Sequence, residues 1–292
     1  MKIAITGGAG FIGYHLCQRL LTQGHQLVVI DNFNDFYNPA LKRRNAEDLS
    51  RAGELKICEA DIRDRETLVG IFKKNRFDHV IHLAAMAGVT PSVERPLLYE
   101  QVNFQGTLNL LELCRLYQIQ NFTFASSSSV YGGSTRIPFS ESDPVDSPLC
   151  PYAVTKRAGE LICSNYAGLF GMNIPCLRFF TVYGPRQRPE MAIIKFIRQI
   201  VQGKKITLYG MGQYSRDYTY IDDIVDGVLA AMQRRSGFEI FNLGGARTTS
   251  SIDLIRLIEN LLEKKATLDL SNKRAGEVDT TFADVTRSHQ VL

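Results

Sequence analysis

Residues 2–13, Lys2-Ile3-Ala4-Ile5-Thr6-Gly7-Gly8-Ala9-Gly10-Phe11-Ile12-Gly13, decide the fold. A short apolar run passes directly into Gly7-x-x-Gly10-x-x-Gly13, and apolar residues then recur at helical spacing through Leu20 and Leu21. Three glycines at this junction permit a tight turn, let a backbone approach a pyrophosphate, and allow helix to pack on strand. The helix start offers unpaired N–H groups and the positive end of its dipole. The same spacing also serves as a plain strand-to-helix turn, so its meaning rests on the rest of the chain.

Working outward, short apolar strands alternate with helical stretches. Strands are expected over 2–6, 26–31, 55–60, 79–84, 121–126 and 174–180. Helices are expected over 11–23, part of 39–50, 65–75 and 97–117, and from Pro151, where proline suits a first helical turn. Such alternation calls for a doubly wound α/β fold with a parallel sheet and right-handed crossovers. Past Phe180 the rhythm breaks. A polar loop, TVYGPRQRPE (181–190), leads to an amphipathic helix over 191–202 and a glycine-rich stretch, LYGMGQYSRDY (208–218). A helix near 222–233, a strand at 239–243 and a helix near 252–263 follow. We expect residues 1–180 to form a dinucleotide-binding domain and 181–292 mainly a smaller substrate lobe, with elements around 215–250 returning to the large sheet. The chain stops at Leu292 just after a helix start, and a truncated lobe is expected there.

Composition narrows the function. With 45% hydrophobic and 22% charged residues among 292, the chain is an ordinary globule with a well-filled core. A net charge of +4, scattered rather than blocked, is too mild for nucleic acid but suits a small anionic ligand. The cysteines (Cys17, Cys58, Cys114, Cys150, Cys163, Cys176) lie far apart among apolar neighbours, which indicates buried free thiols and no metal site. The chain begins directly with a strand and reaches glycine by Gly7, unlike a signal peptide, and no apolar run approaches a membrane span. A cytoplasmic protein without membrane partners is expected.

Asp31 ends the second expected strand, where a carboxylate hydrogen-bonds the adenosine ribose hydroxyls and repels a 2′-phosphate, favouring NAD over NADP. Asp61 ends the third, placed either to reach the adenine edge or to cap the next helix. Tyr152 and Lys156 are spaced i, i+4, on one face of the helix from Pro151. A free phenol, with a pKa near ~10, is a poor base at neutral pH; an adjacent ammonium favours the phenolate. The fifth strand runs into Ala125-Ser126-Ser127-Ser128-Ser129-Val130-Tyr131-Gly132, four hydroxyls at the carboxyl edge of the sheet. Ser127 is placed to hydrogen-bond a substrate hydroxyl and share its proton with Tyr152, while some of these serines satisfy their own turn.

GGAGFIG, HLAAMAG (82–88), VNFQGTLNLLE (102–112), SSSSVYG and YAVTK together resemble the extended short-chain dehydrogenase/reductase superfamily, and within it the nucleotide-sugar epimerases and dehydratases. The resemblance spans nearly the whole chain in the right order. It implies NAD as cofactor, with Gly7, Gly10, Phe11, Ile12, Gly13, Asp31, Asn32, Asp61, Ile62, Leu83, Ala84, Ala85 and Asn103 along its path. It also implies Ser127, Tyr152 and Lys156 as the catalytic set, with Lys156 holding the nicotinamide ribose, and a homodimer through the helices at 97–117 and 152–170.

Dehydratases of this family carry an Asp-Glu pair before Val-Tyr-Gly, and the decarboxylases a glutamate; here Ser128 and Ser129 stand instead, which argues for epimerisation. The segments DNFNDFYNP (31–39) and RFFTVYGPRQRPEMA (178–192) are similar to UDP-glucuronate 4-epimerases. An arginine fork is a natural partner for a carboxylate. Thr181 and Arg188, with Ser127–Ser129, are assigned to the sugar's C6 carboxylate; Arg188 is equally compatible with a solvated loop charge or a pyrophosphate ligand. GQYSRDY (212–218) resembles a family segment whose arginine, here Arg216, clamps the diphosphate of a UDP-sugar. Arg274 resembles the second diphosphate arginine, and Glu277 a residue near the uridine ribose. The rival readings are a 4-epimerase of neutral UDP-hexoses and a catalytically silent NAD-binding regulator.

Overall fold

The computed structural model describes residues 1–272 and 278–292. In the first part of the chain β1 (Lys2–Thr6), α1 (Phe11–Thr22), β2 (Gln26–Asp31), α2 (Pro39–Ser50), β3 (Leu55–Glu59), α3 (Arg65–Lys74) and β4 (His79–His82) alternate. Then come α4 (Val89–Glu94), α5 (Pro96–Tyr99), α6 (Gly106–Leu116), β5 (Phe122–Ser127), α7 (Pro151–Phe170) and β6 (Ile174–Phe179). The second part adds β7 (Thr181–Tyr183), α8 (Ala192–Val201), β8 (Ile206–Leu208), β9 (Ser215–Tyr220), α9 (Ile221–Ala231), β10 (Phe238–Leu243), β11 (Thr248–Ser250), α10 (Ser251–Leu262), β12 (Leu268–Leu270) and α11 (Thr286–Val291).

Seven strands form one sheet in the order β3-β2-β1-β4-β5-β6-β10, every pair parallel. The central strands read as nearly continuous apolar runs because both faces are covered by helices. Ile3, Ala4 and Ile5 of β1 are fully buried, odd positions packing on one side of the sheet and Ala4 on the other. Each such isoleucine contributes about 1.5–3 kcal/mol through removal from water. The seventh strand, β10, comes from beyond residue 180 and pairs with β6. A three-stranded sheet β11-β9-β7 and a two-stranded pair β12-β8 make up the rest. A separate apolar cluster of Phe196, Ile200, Ile206, Leu208, Leu254, Ile255 and Ile258 packs α8 and α10 over β8.

The helix expected over 97–117 is helical from 96 to 116, with a π-helical turn within it. Gly88, with φ of 102°, starts α4, Pro96 occupies the first turn of α5, and residues 100–105 form a π-helical turn before α6. Strand β9 was expected only as part of a glycine-rich stretch. Its inward side chains, Asp217 and Thr219, are polar and buried, so it shows no apolar alternation. Strands β7, β8, β11 and β12, three residues each, are too short to register as periodicity.

Candidate active site

Doubly wound sheets bind ligands beyond the carboxyl ends of their strands, where the strand order reverses. Here the reversal lies between β1 and β4. A cavity of about 440 Å³ opens there, lined in part by Gly7, Gly10, Phe11, Ile12 and Gly13, by Asp31, Asn32, Asp61 and Ile62, and by Leu83, Ala84 and Ala85. Ser127, Ser128, Ser129, Tyr152, Lys156, Thr181 and Arg188 line the same cavity. From β2 to β5 is three strand steps, about 14 Å at ~4.8 Å each, so this is an extended slot. A second cavity of about 450 Å³ shares Phe36, Ala87, Gly88, Val89, Ser128, Ser129, Thr181, Arg188 and Met191 with the first. The shared residues form a throat, beyond which Tyr209, Tyr214, Arg216 and Tyr218 line the outer chamber.

The glycine turn is built for close approach. Gly7 has φ of 71°, and a Cβ there would meet Ala84 N at 2.8 Å. A Cβ on Gly13 would lie 2.3 Å from Gly7 O. Gly10 precedes α1 in extended conformation with no side-chain cap, so the leading N–H groups of α1 are left for a ligand. The Asp31 carboxylate accepts from Ala9 N at 3.2 Å and Phe33 N at 2.9 Å, and burial raises its pKa while these bonds and Lys42 pull it back. Lys42, also on the wall, donates to Asn34 O at 3.2 Å and Asn34 Oδ1 at 2.9 Å. Asp61 is gripped by Arg63 (2.8 Å) and Asn32 Nδ2 (2.8 Å), and the Arg63 fork holds it down to about 2. The cap of α3 is Asp64, accepting from Thr67 N at 3.1 Å, so the capping alternative for Asp61 falls to its neighbour. An extended slot with open helix N–H groups at one end and the Asp31 carboxylate on its wall fits a dinucleotide.

Asn103 differs from expectation. It is buried behind the wall and lines neither cavity: its Oδ1 accepts from Met86 N at 2.8 Å, and its Nδ2 donates to Met86 O (2.9 Å) and Thr155 Oγ1 (3.0 Å). It belongs to a buried polar chain in which His82 contacts Thr6 Oγ1 at 2.7 Å and Thr107 Oγ1 at 2.9 Å, while Thr107 donates to Asn103 O at 2.6 Å. Burial pushes the His82 imidazole down to about 3, so it is neutral.

At the other end, Tyr152 and Lys156 lie on α7 with Ser127 opposite, on β5. Tyr99 packs edge-on against the Tyr152 ring at 6.2 Å and donates to Ala87 O at 2.7 Å. Burial raises the Tyr152 phenol above its usual value, while the Ser127 hydroxyl and then the Arg188 charge pull it down. Lys156, expected to act on that phenol, donates its Nζ to Ala125 O at 2.7 Å; burial pushes the ammonium down to about 8. Among the described residues Arg188 is a cation whose charge lowers the phenol, and it also pairs with Glu190 at 3.2 Å. Ser127 donates to Ser129 Oγ at 3.1 Å, joining two of the expected hydroxyls.

Arg216 lies in the outer chamber, its NH1 donating to Ser215 O at 2.9 Å and Asp279 O at 3.3 Å. Arg274 and Glu277 lie outside the described residues. The sequence reading missed Phe36, Lys42 and Met191 on the walls, although Phe36 and Met191 fall within the quoted segments 31–39 and 178–192. It also missed the ion pair beneath the site. Glu160, one turn after Lys156, accepts from Ser126 Oγ (2.6 Å), Arg178 Nε (2.8 Å) and Arg178 NH2 (2.9 Å), all buried.

Residues 3–244 match the model of the NAD dependent epimerase/dehydratase family. A UDP-glucuronate 4-epimerase of Thermodesulfobacterium geofontis is 41% identical over 289 residues, covering 99% of this chain and 89% of that relative. A UDP-glucuronic acid 4-epimerase from Bacillus cereus, solved in complex with UDP-glucuronic acid and NAD, superposes with a TM-score of 0.91 at 38% identity, covering 100% of this chain and 93% of that one. A UDP-glucose 4-epimerase from Thermotoga maritima with UDP-glucose gives a TM-score of 0.91 at 32% identity, over 99% and 92%. With the glycine turn, the Ser-Tyr-Lys wall and the two-chambered cleft in one molecule, the chain belongs to the NAD dependent epimerase/dehydratase family.

Proposed function

We propose that the protein is an NAD-dependent 4-epimerase that interconverts UDP-glucuronate and UDP-galacturonate. The carrying observation is the throat: Thr181, Arg188, Ser128 and Ser129 stand between the chamber of Tyr152 and that of Arg216. A sugar there has its reacting carbon at the tyrosine and its carboxylate at the arginine, with the diphosphate toward Arg216.

NAD, when bound, supplies the hydride acceptor and donor for sugar C4. Gly7–Gly13 and the start of α1 hold its pyrophosphate, Asp31 its adenosine ribose, and Lys156 its nicotinamide ribose. Tyr152 as phenolate takes the proton of the 4-hydroxyl and later returns it, and Ser127 orients that hydroxyl. The 4-keto sugar turns about its diphosphate link and receives hydride on its other face. With a glucuronate this intermediate is a β-keto acid, which loses CO₂ when the breaking C–C bond aligns with the carbonyl π system. Thr181, Arg188 and the serines hold the carboxylate out of that alignment.

Incubation with UDP-glucuronate, followed by anion-exchange chromatography and mass spectrometry, tests the proposal. UDP-galacturonate of unchanged mass is the expected product. A product lighter by CO₂, or turnover of UDP-glucose alone, overturns it.

We further propose a homodimer, supported by the exposed Leu97, Val154, Leu161 and Leu169 on α5 and α7, a patch that a second copy would cover. Sedimentation at micromolar concentration checks this. No helix among the described residues is long and apolar enough to cross a membrane. All six cysteines are unpaired, which supports placing the enzyme in a reducing cytoplasm.

A further inference from the structure

Arg188 reaches the throat from the loop between β7 and α8, and the loop is anchored two residues earlier. Arg186 has φ of 64°, a left-handed conformation that a residue with a side chain adopts only where its surroundings enforce it. Its guanidinium lies 3.9 Å from the Tyr14 ring centre on α1. NH1 donates to Asn45 Oδ1 at 2.7 Å and NH2 to Asp48 Oδ2 at 2.8 Å, both on α2. Beside it, His15 Nε2 lies 2.9 Å from Pro185 O, and Gln187 Nε2 donates to Val182 O at 2.9 Å. Arg186 lines neither cavity.

The clamp continues into the cofactor wall. Asn45 donates its Nδ2 to Ala9 O at 2.9 Å, inside the glycine turn, and the Ala9 N–H donates to Asp31 at 3.2 Å. Lys42, Asn45 and Asp48, three residues apart along one stripe of α2, thus touch in turn the adenosine wall, the glycine turn and the Arg186 loop.

We propose that Arg186 is the positioning residue for Arg188: clamped between α1 and α2, it sets the loop so that Arg188 stands at the throat, and thereby sets the preference for a sugar bearing a carboxylate. This rests on the function proposed above. Arg186→Ala raises KM for UDP-glucuronate about tenfold, the scale of one partly exposed charged hydrogen bond, and moves the kcat pH profile to higher pH because the Arg188 charge near the Tyr152 phenol is displaced with the loop. KM for UDP-glucose stays at the parent value. In an Arg188→Ala background the second substitution adds nothing, because Arg186 acts only through Arg188.

Hydrogen exchange reads the clamp without any substrate. The amides of Gln187 and Met191, bonded to Gly184 O (3.2 Å) and Arg188 O (3.1 Å), exchange about tenfold faster in Arg186→Ala. They keep the parent rate in Arg188→Ala. Unchanged exchange, fully additive losses, or equal losses on both sugars overturn the proposal. A parent enzyme inert toward UDP-glucuronate defeats the function proposed above instead, and the exchange measurement alone then decides the clamp.

Discussion

Gly13→Ala tests the cofactor wall most directly, because the clash involves only backbone. The added Cβ would lie 2.3 Å from Gly7 O, 2.6 Å from Gly8 Cα and 2.9 Å from Gly8 C, against 3.4 Å for ordinary contact. No side chain can swing away, so the turn itself must shift by about 1 Å relative to α1, and losing about two hydrogen bonds to a charged pyrophosphate raises Kd roughly 100-fold. Overpacking removes about 1–3 kcal/mol of stability as well. At NAD equal to 100 times the parent Kd, the cofactor stabilises the parent by about 2.7 kcal/mol; with Kd raised 100-fold, the same concentration gives about 0.4 kcal/mol. Urea melts with and without NAD measure that difference, and NAD released on denaturation measures occupancy. Gly24→Ala is the control. Gly24 has φ of 77° with nothing within 4 Å of its Cβ position, so alanine there strains the backbone without touching the turn. A Gly13→Ala protein that binds NAD within threefold of the parent would refute the placement of the pyrophosphate at this turn.

Four further outcomes are expected. Tyr152→Phe lowers kcat by about 10²–10⁴-fold with NAD content unchanged, and a loss under tenfold would remove Tyr152 as acid and base. Arg188→Ala and Thr181→Ala release UDP-pentose and CO₂ from UDP-glucuronate, and release no greater than the parent's contradicts their role as carboxylate holders. Glu160→Gln leaves the Arg178 charge buried without its partner and destabilises by about 3 kcal/mol in urea unfolding, a value below 1 kcal/mol being incompatible with the pair as described. Lys156 has its pKa lowered by burial to about 8 from 10.5, so between those pH values the unfolded chain binds the extra proton and stability from this group rises with pH. Lys156→Met removes that rise, and parallel pH–stability curves for parent and variant over pH 8–10.5 would contradict it.

The central sheet was legible because strands such as β1 and β2 bury both faces and so read as nearly continuous apolar runs bounded by turn residues. The glycine turn, Asp31, the serine strand end and the Tyr152/Lys156 spacing were legible because each has a fixed place relative to a strand or a helical turn. The second part of the chain was harder for a specific reason. Strand β9 turns Asp217 inward, where it accepts from Gly245 N at 2.7 Å and Ala283 N at 3.0 Å, so a carboxylate rather than an apolar side chain organises the core there. Hydropathy patterns cannot register a strand whose buried residues are polar.

The same limit explains why the supporting residues escaped a reading of the sequence. Asn103 was expected on the cofactor path and instead ties the Met86 backbone to α7 through Thr155, one residue before Lys156. Glu160 and Arg178 touch neither cavity, yet Glu160 holds Ser126, next to Ser127, and follows Lys156 by one helical turn. A buried carboxylate between two arginines requires full pairing, since an unpaired charge there costs several kcal/mol. That requirement fixes β5, β6 and α7 against one another at the level of Ser127 and Tyr152. Arg186 plays the corresponding part on the opposite wall, between α1, α2 and the Arg188 loop. Such residues follow no spacing rule, because their partners are distant in sequence: 18 residues separate Glu160 from Arg178, and 141 separate Asn45 from Arg186. Only the folded chain brings them together, and the placement of Tyr152 and Arg188 depends on both.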